Sequence, residues 1–82
     1  MGNRREGDAA DALVRRLAID PAPVVRSHAA WALGEVLAAG TLHVAPAREV
    51  RAALTRAGAE DDQAEVREEA ILALARAGAP LS

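Results

Sequence analysis

The residues that could carry out chemistry are few in this chain, and their spacing does not form a catalytic site. Among its 82 residues are two histidines, His28 and His43, and no cysteine. Two histidines alone make a poor metal site, and the missing thiols exclude disulfides and cysteine-held clusters within the chain. No phosphate-loop glycine pattern, nucleophile elbow or His-Glu-x-x-His motif is present. We therefore expect a chain that is not itself an enzyme and binds neither a cofactor nor a metal.

The densest group of carboxylates begins at Glu60 and continues through Asp61, Asp62 and Glu65 to Glu69. Such a group could bind a cation or a basic partner. A calcium loop, however, needs alternating acids around a central glycine, and these are missing. The pattern favours a capped helix start followed by a solvated helix face.

Two Asp and Arg pairs with the same spacing resemble acid–base pairs but are better explained by structure. They are Asp20 with Arg26 and Asp61 with Arg67. Each pair sits at a predicted helix start, where an Asp satisfies backbone N–H groups. Because both members recur at helix starts with the same spacing, a structural role is favoured over a catalytic one.

Apolar spacing and capping residues predict four helices and no strands. The predicted helices run from about Asp8 to Ile19, from Pro21 after an Asp20 cap to Gly40, from Pro46 to about Ala57 with Gly58 ending it, and from a cap at Asp61 or Asp62 to Gly78 and Pro80. Asp62 and Glu65 match a capping-box variant. Gly34, inside the second helix, predicts the close approach of another helix.

The chain contains an internal repeat. A shift of 41 positions (67 − 26) places Arg26 on Arg67 and Trp31 on Leu72. A repeat of this length built from two helices predicts an all-α fold, a short α-solenoid of two helix pairs. The expected organisation is a single domain, residues 1–82, with a tail of a preceding repeat at 1–7, repeat 1 at 8–39, a connector at 40–45 and repeat 2 at 46–78. Two repeats leave an apolar side open, so we expect a homodimer through the open solenoid ends or a piece of a longer chain.

The pattern Asp-Pro-x-x-x-Val-Arg-x-x-Ala-Ala-x-Ala-Leu-Gly, from Asp20 to Gly34, resembles the HEAT-like repeat of the kind named after phycobilisome lyases. In HEAT repeats the Asp at the helix start and the Arg six residues later form polar ladders between neighbouring units. The resemblance thus implies that role for Asp20, Arg26, Asp61 and Arg67. The second copy departs from the pattern, since Ala75 replaces Gly34 and the connector is longer.

A closer resemblance concerns the segment from Val25 to Gly34, which is similar to the C-terminal HEAT-like repeats of bacterial tRNA epoxyqueuosine reductase. That family implies a cobalamin and iron–sulfur enzyme acting on a tRNA anticodon loop. None of its catalytic equipment can lie in this cysteine-free chain. The resemblance therefore implies a C-terminal fragment of such an enzyme, contributing to tRNA contact or assembly.

Trp31 is the only aromatic residue, and it lies on a helical wheel beside Val24 and His28. It could be a binding hot spot or a stacking platform for bases. Its repeat equivalent Leu72 is also apolar, and packing between adjacent repeats explains both residues. His28, Trp31 and Leu72 are therefore expected on a partner surface or a repeat-packing surface.

Arginines are concentrated in the first helix of each pair, and these are the candidate RNA contacts. They are Arg15, Arg16, Arg48, Arg51 and Arg56. The net charge of −2 and the absence of interleaved aromatics give no general attraction to nucleic acid. Weak tRNA contact would prefer this first-helix surface to the acidic fourth helix.

Three function classes follow. The leading one is a non-catalytic binding and scaffold segment of a tRNA-modifying enzyme in the cytoplasm, whose partner is the rest of a larger polypeptide and, weakly, tRNA. The alternative is a free-standing HEAT-repeat adaptor that binds another protein. A chromophore-lyase relative is a third class, inferred from the repeat name alone. No apolar run is long enough to predict a membrane span.

Overall fold

The computed structural model of the chain describes residues 6–78, which form four α-helices in two stacked pairs. The helices are α1 (Glu6–Ile19), α2 (Pro23–Ala39), α3 (Val44–Glu60) and α4 (Ala64–Gly78). Helix α1 packs on α2 and α3 on α4, and the pairs stack through α2 against α4 and α1 against α3. The first helices therefore form one layer and the second helices the other, in a slab of 38 × 34 × 15 Å. The predicted all-α solenoid of two helix pairs is confirmed.

Helix α2 begins at Pro23, so the prediction that Asp20 caps a helix starting at Pro21 is wrong. The Asp20 Oδ1 accepts a hydrogen bond from the Ala22 N–H at 2.9 Å, which closes a turn before the helix. Ala22 is extended, with φ −89° and ψ 119°. A residue that precedes proline is disfavoured in the helical region, so Pro23 enforces this conformation and takes the first helical position itself.

Helix α4 begins at Ala64, and neither Asp61 nor Asp62 caps it as predicted. The Asp61 Oδ1 instead accepts a hydrogen bond from the Gln63 N–H at 3.0 Å. The Gln63 carbonyl receives the first helical N–H groups, from Val66 and Arg67. The Asp61 side chain thus forms an Asx turn in place of the expected helix cap.

The first helices are longer than predicted. Helix α1 begins at Glu6 rather than Asp8, and it therefore includes two of the residues assigned to a preceding tail. Helix α3 runs from Val44 to Glu60 rather than from Pro46 to Ala57. Pro46 fits because the first four N–H groups of a helix have no partner within it. Gly58 lies inside α3, where its missing side chain leaves room for the Ile71 side chain of α4. Residues 1–5 and Pro80 lie outside the described residues.

Gly40 ends α2 as predicted. Its φ of 74° is left-handed, and its N–H donates to the Leu37 carbonyl at 3.0 Å. A side chain at this position would be strained, which is the reason for glycine.

The core is formed by a few branched residues between close-packed alanines. Leu33, Leu54, Val50 and Val66 are the largest fully buried side chains. Ala29, Ala30, Ala70 and Ala73 fill the space around them and are also buried. Because these side chains are small, the helix axes can lie close together. The resulting close packing offsets the small area that each alanine buries.

Candidate functional site

The loops before α2 and α4 have the same hydrogen-bond pattern, 41 residues apart. In the first, the Arg26 Nη1 donates to the Asp20 carbonyl at 2.8 Å, and in the second the Arg67 Nη1 donates to the Asp61 carbonyl at 2.6 Å. Each Asp also accepts the N–H two residues later through its Oδ1. The internal repeat seen in the sequence is therefore a repeat of backbone and side-chain geometry.

Arg26 connects the two repeats. Its Nε and Nη2 donate to the Asp61 carboxylate at 3.0 and 3.1 Å, and Nη2 also donates to the Asp62 carboxylate at 2.8 Å. The Arg26 and Asp61 side chains are only 10% and 8% exposed, whereas Asp62 is 79% exposed. This forked arrangement is the geometry in which Arg and carboxylate bind most specifically.

The ion pair between Arg26 and Asp61, which we call the rung, shifts the pKa of both partners. Burial alone would raise the pKa of the Asp61 carboxyl, but hydrogen bonds from Arg26 and from the Gln63 N–H hold that pKa below its ordinary value. The hydrogen bond to Asp61 in turn raises the pKa of the Arg26 guanidinium. Both groups therefore stay charged at neutral pH. Neither pKa is moved toward neutral, where a general acid or base is most effective, so the geometry favours a structural pair.

Asp20 and Arg67, the other two residues of the predicted ladder, lie at opposite ends of the solenoid. Both side chains are half-buried. Among the described residues, the Asp20 carboxylate receives only the Ala22 N–H, and the Arg67 guanidinium donates only to the Asp61 carbonyl. The single complete rung in residues 6–78 is therefore the one between Arg26 and Asp61.

Trp31, His28 and Leu72 lie on the exposed face of the second-helix layer. We define the second-helix surface by Val24, His28 and Trp31 of α2 and their repeat equivalents Glu65, Glu69 and Leu72 of α4. Trp31 is 45% exposed and Leu72 57% exposed, so neither is buried between the helix pairs. A shallow cleft of about 330 Å³ is lined by Val24, Ser27, His28, Trp31 and Glu69.

Neighbouring groups hold Trp31 in place. The His28 and Trp31 rings are tilted by 60° with centroids 6.0 Å apart. Arg76 of α4 donates to the Trp31 carbonyl at 3.2 Å and pairs with Glu35 at 3.3 Å. The contacts of Arg76 join the backbone of the α2 turn at Trp31 to α4, while the indole itself stays half-exposed.

The candidate RNA contacts are all exposed, and two of them form ion pairs. Among the side chains that the structure describes, helices α1 and α3 carry five arginines against three acids: Arg15, Arg16, Arg48, Arg51 and Arg56 against Asp11, Glu49 and Glu60. The Arg15 guanidinium pairs with Asp11 at 3.3 Å, and Arg56 pairs with Glu60 at 3.9 Å. A mildly basic first-helix surface therefore stays a prediction.

A groove of about 630 Å³ separates α1 from α3 on this first-helix surface. Its lining is mainly apolar and carries one guanidinium, Arg56, against the carboxylates of Glu49, Glu60 and Asp61. Arg56 pairs with Glu60, and Asp61 is bound by Arg26. The charges that line this groove therefore do not favour an anionic ligand.

Sequence reasoning missed three members of these sites. Asp62 is a second acceptor for Arg26, Glu69 lies across the cleft from Trp31, and Arg76 binds the Trp31 carbonyl. The 41-residue shift contained part of this information, since Glu69 is the repeat equivalent of His28. The 41-residue shift alone, however, does not reveal which helices are neighbours in the stack.

His28 and His43 are both exposed, on α2 and just before α3. Within residues 6–78, no three His, Asp or Glu side chains come together as a metal site. None of the helices in that part of the chain is long and apolar enough to cross a membrane.

Two stacked helix pairs, joined by a repeated Asp and Arg frame, define a helical-repeat protein of the α-solenoid class. A family model described as HEAT-like repeat matches residues 23–77, which is more than half of the chain. The chain belongs to this HEAT-like repeat family. Comparisons with curated proteins and with solved structures found no significant match.

Proposed function

We propose that this chain is a non-catalytic protein-binding module and that the second-helix surface is where it binds its partner. A helical scaffold or protein-binding role is what HEAT-like repeats suggest in general. The observation that carries the specific proposal is the half-exposed Trp31, fixed on α2 beside Val24 and across a cleft from Glu69. Trp is among the residue types most enriched at the energetic centres of protein interfaces.

The composition of the surface indicates the chemistry of the partner. Three apolar side chains, Val24, Trp31 and Leu72, are 69%, 45% and 57% exposed. The α4 part of the surface adds Glu65 and Glu69. An apolar patch bordered by carboxylates fits a peptide segment with an apolar anchor and flanking Arg or Lys residues.

Selection of displayed random peptides on the immobilised chain tests this proposal. Selected peptides should share an apolar residue next to basic residues, and their binding should change the fluorescence of Trp31. Replacing Trp31 with Ala should weaken binding by about thirtyfold, as expected for the loss of a central aromatic anchor. Peptides without that pattern would contradict the proposal.

A matched control comes from Val44, which is 73% exposed at the start of α3 and lies outside the second-helix surface. Val44→Ala should leave peptide affinity within about twofold of the original, since single exposed apolar residues outside an interface contribute little. Equal losses in the Val44 and Trp31 variants would argue against a specific surface.

The second candidate function is tRNA contact by a terminal segment of an epoxyqueuosine reductase-like enzyme in the cytoplasm. The observation in its favour is that all five arginines of the first-helix surface are exposed. The ion pairs of Arg15 and Arg56 and the carboxylates that line the groove between α1 and α3 make it the weaker candidate. The chromophore-lyase class gains no support from any described residue.

Binding of a labelled anticodon stem-loop at low salt tests the second candidate. If the arginines contact phosphates, log affinity should fall linearly with log salt concentration, and replacing Arg48 and Arg51 together with Glu should abolish binding. The variant Glu65→Gln on α4 serves as the control. No salt-sensitive binding at low ionic strength would exclude this candidate.

Self-association through the open ends of the solenoid, also expected from the sequence, would leave the second-helix surface accessible to a partner.

A further inference from the structure

We propose that the chain self-associates head to tail, with the α3–α4 end of one copy bound to the α1–α2 end of a second copy. We define the tail face as the outward side of the α3–α4 pair, marked by Arg67 and Ile71. The head face is the outward side of the α1–α2 pair, marked by Asp20. The proposal continues across copies the stacking that already joins the two repeats within one chain.

The ladder supplies the first argument. Arg26 of repeat 1 binds Asp61 of repeat 2 through a fork of two hydrogen bonds. Arg67 is held by the same carbonyl contact as Arg26, and Asp20 forms the same Asx turn as Asp61. If a second copy stacks on repeat 2 in the way that repeat 2 stacks on repeat 1, the Arg67 guanidinium lies next to the Asp20 carboxylate of that copy.

Apolar surface on the tail face supplies the second argument. Ile71 is 54% exposed, although its repeat equivalent Ala30 is completely buried. Ala30 lies one turn before Gly34, where α2 touches Ala73 of α4. Ile71 occupies the same position relative to the next unit in the stack, so a second copy would cover it and remove its apolar surface from water.

Charge decides the orientation. Glu35 and Arg76 occupy equivalent positions and already pair at 3.3 Å within the chain. Head-to-tail stacking places the second copy's Glu35 on the other side of Arg76, so the charges alternate along the stack. A symmetric tail-to-tail dimer would instead bring together two faces that each carry Arg67, and a head-to-head dimer two faces that each carry Asp20, so neither forms the Arg67 to Asp20 pair. Head-to-tail contacts form open series or rings, not closed dimers.

Sedimentation equilibrium of the full chain over a wide concentration range tests the proposal. The weight-average mass should rise with concentration beyond twice the 8.5 kDa monomer. Ile71→Glu should weaken association by at least about tenfold, because a charge replaces buried apolar surface. Leu72→Glu is the matched control, on the same helix and similarly exposed, and it should leave association unchanged while it weakens peptide binding.

A mixing experiment tests the head-to-tail geometry itself. Asp20→Asn keeps the oxygen that accepts the Ala22 N–H but weakens the head face, and Ile71→Glu blocks the tail face. Each variant alone should associate weakly, and an equimolar mixture should form a heterodimer through the intact tail of one and the intact head of the other. A wild-type chain that stays monomeric, a mass that stops at the dimer, or no gain on mixing would each overturn the proposal. Circular dichroism checks that each variant is folded.

Discussion

At the scale of single residues, Arg26 is the group on which most of the geometry depends. Its Nη1 donates a hydrogen bond to the Asp20 carbonyl, and its Nε and Nη2 donate to the carboxylates of Asp61 and Asp62. One guanidinium thus fixes the loop before α2 to the loop before α4. A lysine could not replace it, since a single ammonium cannot satisfy a carboxylate in a fork and a carbonyl at the same time.

The Asp61 carboxyl should make stability depend on acid pH. Its pKa is held below the ordinary value of about 3.9, so the unfolded chain takes up a proton at higher pH than the folded chain does. The stabilisation is complete above about pH 3.9 and is lost as the pH falls through the folded pKa. Asp61→Asn keeps the acceptor for Gln63 but removes the charge. We expect it to lower Tm by several degrees at pH 7 and to flatten the loss of stability below about pH 4.

Thermal unfolding followed from pH 7 to pH 3 measures this effect, with Asp11→Asn as the control. Asp11 pairs with Arg15 on the surface, where both side chains are more than half exposed. Such a pair contributes at most about 0.5 kcal/mol, so its removal should leave the pH profile almost unchanged. Parallel profiles for the wild type and Asp61→Asn would show that the rung does not couple folding to pH.

At the scale of helices, the contact between α2 and α4 depends on Gly34. A Cβ at this position would lie 2.6 Å from the Ala73 Cβ and 2.9 Å from the Ala73 Cα. The backbone of α4 cannot move away without opening the rest of the helix contact. Gly34 is therefore required by packing, although it lowers the helix propensity of α2.

Gly34→Ala and Gly58→Ala should have opposite effects on stability. In Gly34→Ala a gain of about 1 kcal/mol in helix propensity is outweighed by overpacking, and we expect a net loss of about 1–2 kcal/mol. In Gly58→Ala the nearest atom is the Cγ1 of the half-exposed Ile71, at 3.1 Å, which can rotate away. That variant should keep its stability or gain up to about 1 kcal/mol. Urea unfolding monitored by circular dichroism gives both values, and a stabilised Gly34→Ala would refute the packing argument.

The sequence was sufficient for the helices and their repetition, but not for all of their boundaries. Apolar periodicity and the 41-residue shift predicted four helices, and Gly40 correctly marked the end of α2. The starts of α2 and α4 were missed because Asp20 and Asp61 form Asx turns with the residue two positions later. An Asp before a helix is compatible with either a cap or such a turn, and the local sequence alone does not separate them.

At the scale of the whole molecule, the two layers present surfaces of different chemistry. The second-helix surface combines Trp31 and Leu72 with carboxylates, whereas the first-helix surface carries exposed arginines, two of which pair with acids. Trp31, His28 and Leu72 were identified from the sequence, but their exposure and the place of Glu69 across the cleft were not. Whether Trp31 lies between repeats or on a surface depends on how the second pair of helices stacks on the first, which is a tertiary property.

The measurement that tests the central claim most directly is an NMR titration of the isotopically labelled chain with a selected peptide. Binding at the second-helix surface should shift the amide signals of Val24, His28 and Trp31 and of Glu69 and Leu72 across the cleft. The signals of Arg15 and Arg48 on the other layer should stay unchanged. Shifts confined to the first-helix layer, or no shift at Trp31 at a saturating peptide concentration, would contradict the assignment of this surface as the binding site.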